Sequence, residues 1–205
     1  MLGVGSPASV GVGGELYIGA LVTVLGQLHL NATTVTVTSS GSVVGTGRSH
    51  ATNNQGPTNA NAQSHGYESG THGGVGMYDY NPVTWGTPYG STFEPVTVGS
   101  GSQYCKGGAA LRVTSDVVVL DGGTIAMDGG TYTNYGGGAG GSVWLTTRVL
   151  RGSGGSISAA GDTSGRPTNQ GCAWSNGKVP TARHCVPVGC ARRSSTRVAN
   201  DARRR

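Results

Sequence analysis

Several sets of side chains in this 205-residue chain have types and spacings that could do chemistry. Asp121, Asp128 and Asp162 recur beside glycines, with Glu94 and Asp79 upstream. Carboxylates gathered on one face would bind Ca²⁺, or act as acid and base in a polysaccharide hydrolase or lyase. A plainer use competes, because Asp favours turns by bonding local backbone. His65 and His72, in "SHGYESGTHGG", are separated by a glycine-rich stretch that fixes no geometry, with no third ligand nearby, so they read as polar loop residues rather than a metal pair. Cys105, Cys172, Cys185 and Cys190 lack the C-x2-C knuckle of a structural zinc site, even with His184 adjoining. Disulfides in an oxidising compartment are expected ahead of free thiols, with three connectivities open. Asn31-Ala32-Thr33 is a glycosylation sequon at a strand boundary. The runs "GVGG" and "GGGAGG" lack the Gly-Lys-Ser/Thr ending of a phosphate loop. No catalytic residue, metal or cofactor is assigned.

The elements that must position these groups are built from an unusual composition. There are 39 glycines, one phenylalanine and only 11% charged residues. Glycine follows no G-X-Y period, which excludes collagen. The net charge of +5 divides unevenly: eight basic side chains against Asp201 give the last 28 residues +7, whereas residues 1–177 carry −2. The body is therefore no basic nucleic-acid binder, and a nucleic-acid partner is not expected. No run of 18 uncharged apolar residues exists, so no transmembrane segment is read. The N-terminus lacks the basic and apolar regions of a secretory signal, which leaves a fragment of a longer precursor or a soluble intracellular protein, and the repeats described below favour the fragment.

Residues 15–47 alternate at period two, as in "TVTVT", and predict short β-branched strands with no helix. Residues 48–106 lose this periodicity and form a long Gly/Asn/Tyr-rich excursion, of which 64–102 is expected to be ordered and 48–63 mobile. Then "GAALRVTSDVVVLDGGTIAMDGG" repeats as "GGSVWLTTRVLRGSGGSISAAGD" at an offset of 32 without a gap. Leu111, Val113, Val117, Ile125 and Met127 fall on Val143, Leu145, Val149, Ile157 and Ala159, the set expected to face inward. Arg112 against Trp144, and Asp116 against Arg148, vary on the outer face. A weaker copy appears earlier at an offset of 82, where Val35 and Val37 match Val117 and Val119. Each copy holds three strands of about four residues joined by corners too short for hairpins. Such strands coil one way and stack on their own copies, which implies an all-β, right-handed parallel β-helix or β-solenoid. A β-sandwich of the same strands is the alternative. The organisation expected is a flexible N-terminus over 1–14, a β-helix over 15–165 and a disordered Cys-containing, Arg-rich tail over 166–205.

The stretches "YGSTFEPVTVGSGS", "KGGAALRVTSDVVVLDGGTIAMDGG" and "YGGGAGGSVWLTTRVLRGSGGSISAAGD" together resemble glycine-rich β-helix proteins of cell surfaces and secreted matrices in protists and bacteria. The likeness covers about residues 66–162, and more loosely 15–47. It implies an extracellular or surface-attached, adhesin-like protein and supplies no catalytic residues. On this reading the outward residues Trp144, Arg112 and Arg148 meet glycans or neighbouring surface proteins. The competing expectation is a carbohydrate lyase or hydrolase on the same scaffold, with residues 64–102 walling a groove.

Overall fold

The computed structural model describes residues 7–49, 72–73, 89–102, 104–131, 137–162 and 196–197. Their strands fall into four successive triplets, here called tiers. The first tier is β1 (Ala8–Gly11), β2 (Glu15–Ile18) and β3 (Leu21–Thr23), and the second is β4 (Gln27–Asn31), β5 (Thr34–Thr38) and β6 (Ser42–Val44). The third is β7 (Ala110–Thr114), β8 (Val117–Asp121) and β9 (Thr124–Ala126), and the fourth is β10 (Ser142–Thr146), β11 (Val149–Arg151) and β12 (Ser156–Ser158). A two-residue strand, β13 (Thr196–Arg197), lies antiparallel against β12. The first strands of the tiers form one sheet in the order β1-β4-β7-β10, which we call sheet A. The second strands form sheet B (β2-β5-β8-β11), and the third strands form sheet C, which β13 extends. All strand ladders between tiers are parallel, in three sheets, with isolated antiparallel bridges only at Thr38–Gly122 and Asp121–Gly154 among the described residues, where no helix occurs. The strands are thus not joined as the hairpins of an antiparallel sandwich.

The corner between sheets A and B shows how so short a connection closes. Residues 32–33, 115–116 and 147–148 each span it in two residues. The Gly14 carbonyl accepts the amides of Thr33 and Thr34, the Thr33 carbonyl those of Asp116 and Val117, and the Asp116 carbonyl those of Arg148 and Val149. One acceptor per tier therefore satisfies two donors of the next, which pairs backbone amides through the turn.

Inward residues stack in columns. Leu28, Leu111 and Val143 pair across sheet A, Val35, Val118 and Leu150 across sheet B, and Val22, Val43, Ile125 and Ile157 across sheet C. Together with Val37, Leu120 and Met127 they fill the single core. The offset of 32 holds in all three sheets between the third and fourth tiers, as the sequence repeat implies.

Two expectations are corrected. Val35 pairs with Val118, not Val117, and Val37 with Leu120, an offset of 83; only sheet C keeps 82, because residues 39–41 turn with one residue more than Gly122–Gly123. Val118 and Leu120 are fully buried while Val149 is 42% exposed, so Val117 and Val149 face outward rather than into the core. In addition, β1 lies inside the segment 1–14 expected to be a flexible N-terminus, paired in register with β4. The large apolar side chains left exposed include Val10, Val12, Tyr17, Leu21 and Leu25, all at the outer edge of the first tier.

Glycine is needed chiefly where backbones touch. A Cβ on Gly141 would strike the carbonyl of Ala109 and come within 2.6 Å of the Gly108 oxygen; one on Gly129 would strike the Gly138 carbonyl. Neither residue has a left-handed φ, so close approach, not conformation, excludes a side chain there. Gly122, with φ 74°, combines both requirements at the corner after β8. Amides of Gly108, Gly129, Gly138 and Gly141 bond to the carbonyls of Ala139, Ala160, Gly130 and Met127, knitting unpaired extended segments beside the sheets.

Gly141→Ala is therefore expected to lower the unfolding free energy by about 1–3 kcal/mol, as overpacking does. Gly13→Ala, where an added Cβ meets nothing within 4 Å, should change it by less than about 0.5 kcal/mol. Urea titrations of the two variants check the contrast, and equal losses would contradict it.

Candidate functional site

The outward positions of sheet A are set by strand parity. They are Gln27, His29 and Asn31 on β4, Ala110, Arg112 and Thr114 on β7, and Ser142, Trp144 and Thr146 on β10. Register places Ser9, His29, Arg112 and Trp144 in one column across four tiers. The Arg112 guanidinium lies 4.2 Å from the Trp144 ring centroid, a cation–π stack that pins both side chains. Arg112 Nε is shielded from solvent and has no hydrogen-bond partner among the described residues. His29 Nε2 lies 3.1 Å from Thr114 Oγ1, one column over. His29 was missed in the sequence because its register partner Arg112 and its hydrogen-bond partner Thr114 stand 83 and 85 residues away, beyond the excursion.

One side of this face is walled by Val96 and Thr97, near the end of the excursion. Gln27 donates its side-chain amide to the Val96 carbonyl at 3.0 Å, and Ser142 Oγ donates to the Thr97 carbonyl at 2.6 Å. Behind the wall stands His72, 2% exposed. Its Nδ1 is 2.7 Å from the Gly140 carbonyl, which can only accept, so Nδ1 carries the proton and Nε2 accepts from Thr97 Oγ1 at 2.9 Å. Burial lowers its pKa from 6.5 and outweighs the opposing Gly140 bond. Tyr89 leans on His72 with ring centroids 5.0 Å apart and donates its hydroxyl to the Val98 carbonyl; burial pushes its pKa up. His72 is thus a brace with both nitrogens engaged, while His65 lies outside the described residues. A shallow recess lined by His72, Tyr89, Ser91, Pro95, Ser142 and Val143 adjoins it.

The other candidates are placed apart from this face. Arg148 sits in the corner after β10 and pairs with Asp116 at 3.3 Å, both largely exposed, a surface pair of little energetic weight. It is not brought to Arg112 and Trp144. Asp128 accepts from Ser158 Oγ at 2.8 Å and from the Ala160 amide at 2.6 Å, and Asp121 accepts from Ser153 Oγ at 3.1 Å. These carboxylates link the third tier to the fourth from opposite ends of β9. Asp162 is buried, Glu94 is exposed in the turn begun by Ser91, and Asp79 lies outside the described residues. Among the described residues no three acidic, His or Cys side chains gather as a metal site.

Cys105, the one disulfide candidate among the described residues, forms no disulfide with any of them. Its thiol is free and buried, with its amide on Ser102 Oγ, and burial raises its pKa. Cys172, Cys185 and Cys190 lie outside the described residues, as does most of the Arg-rich tail. Asn31 is exposed at the end of β4, one column from His29. No helix among the described residues is long and apolar enough to cross a membrane. No protein-family model, curated protein or solved structure matches the chain.

A lowered His72 pKa means the fold prefers neutral imidazole, so the unfolded chain binds more protons below about pH 6.5. This stabilising contribution is complete above 6.5 and falls as pH drops toward the folded-state pKa. Urea midpoints measured on both sides of 6.5 should fall more steeply on acidification in the native protein than in His72→Gln. Parallel slopes would contradict the assignment.

Proposed function

We propose that this chain is a right-handed parallel β-helix from a longer extracellular or cell-surface protein, with a structural and adhesive role and no catalysis of its own. Four ordered visits to sheets A, B and C support the helical path, since the chain returns to each sheet one strand further along. The hand follows from the strong preference of parallel crossover connections for right-handedness. Adhesion is supported above all by the Arg112–Trp144 stack, a rigid aromatic and a fixed cation half-exposed on the outer face of sheet A. Such a face suits a glycan or a neighbouring surface protein, because a planar ring covers the apolar side of a sugar at low entropic cost. Asp121 and Asp128, two of the carboxylates weighed for catalysis, are instead engaged in bonds between tiers.

Trp144→Ala should reduce binding to immobilised glycans at least about tenfold. The fold should survive, since Trp144 lies outside the core cluster. A glycan array probed with both proteins, alongside thermal melts, reads both effects. Binding unchanged by the substitution would overturn the assignment of this face.

A further inference from the structure

The charge on sheet A's outer face is unbalanced. None of its nine outward positions on β4, β7 and β10 is acidic. Arg112 has no ion pair among the described residues, in contrast to Arg148, which Asp116 answers. Its Nε is shielded from water and has no hydrogen-bond partner among the described residues. Trp144 holds the guanidinium plane, so its fork of donors is oriented before any ligand arrives. β10 is the edge strand of its sheet, which leaves the indole face opposite Arg112 without a covering strand among the described residues. Hydroxyl and amide groups of Gln27, Asn31, Thr114 and Thr146 flank the pair in the two adjoining columns.

Resting on the adhesive reading above, we propose that the Arg112–Trp144 pair takes an anionic saccharide whose carboxylate or sulfate is clasped by Arg112. The sugar ring stacks on Trp144, and the chain runs along the His29–Arg112–Trp144 column. A guanidinium fork matches a planar carboxylate or a sulfate edge with paired hydrogen bonds. Neutral sugars could use only the ring and the flanking polar groups.

The test is calorimetric titration of the whole chain with an oligo-uronate, its methyl ester, and a neutral oligosaccharide with and without sulfate esters. The anionic member of one or both pairs should bind at least about tenfold tighter than its neutral counterpart, one charge-assisted bond's difference. Arg112→Gln should erase that ratio, Arg112→Lys should keep part of it, and Trp144→Ala should weaken all members together. A uronate-only or a sulfate-only preference supports the proposal and tells the two sources apart. Equal affinity for charged and neutral members overturns the anionic assignment while leaving the adhesive reading intact. Preference that survives in Arg112→Gln also overturns it, and binding to no member overturns both.

Discussion

The structure depends on the register of parallel main-chain bonds between tiers. A parallel ladder has side chains of period two, so a slip by one residue would carry every inward side chain of a strand to the outer face. In sheet B such a slip would expose Val118 and Leu120 and bury Val117 and Val119. Those two choices look alike in composition, but only one lets Val35, Val118 and Leu150 meet in one column. The same register builds the outer columns, and this is why Arg112 lies against Trp144 although 31 residues separate them in sequence. Outer and core columns are set together.

Glycine makes that register reachable between sheets. Where extended segments leave sheet C and return to sheet A, backbones approach so closely that a methyl group has no space, as at Gly108, Gly129 and Gly141. The entropic cost of ordering so many glycines is offset by the amide–carbonyl bonds this proximity allows. The aspartates act in the same system: Asp121 and Asp128 tie the third tier to the fourth with bonds that side-chain oxygens can make and a shortened backbone cannot.

Much of this was legible in the sequence because the third and fourth tiers repeat without a gap. The offset of 32 placed Arg112 against Trp144, Asp121 against Ser153 and Asp128 against Ala160, and the structure bonds or stacks each pair. The second tier was harder to align. Its corner over residues 39–41 is one residue longer than Gly122–Gly123, and the run Val117 to Leu120 is apolar at every position, so parity carried no mark. His29 stayed hidden because Arg112 and Thr114 lie beyond the excursion, so no local spacing links them to it. The first tier left still less signal, since "ASVG" offers one large apolar residue. His72 could not be read as a brace, because its partners Thr97 and Gly140 are fixed only by the folded path of the excursion.

The in-register stacking of tiers is tested most directly by cross-linking outward residues of sheet B. Neighbouring strands lie about 4.8 Å apart, within the Cα separation of roughly 4.4–6.8 Å that a disulfide requires. Thr36 stands opposite Val119 and two positions along from the partner of Val117. The double substitution Thr36→Cys with Val119→Cys should oxidise readily to an intramolecular disulfide, while Thr36→Cys with Val117→Cys should not. Preferential bridging of the second pair, or no bridge in either, would contradict the register on which the fold and its outer face rest.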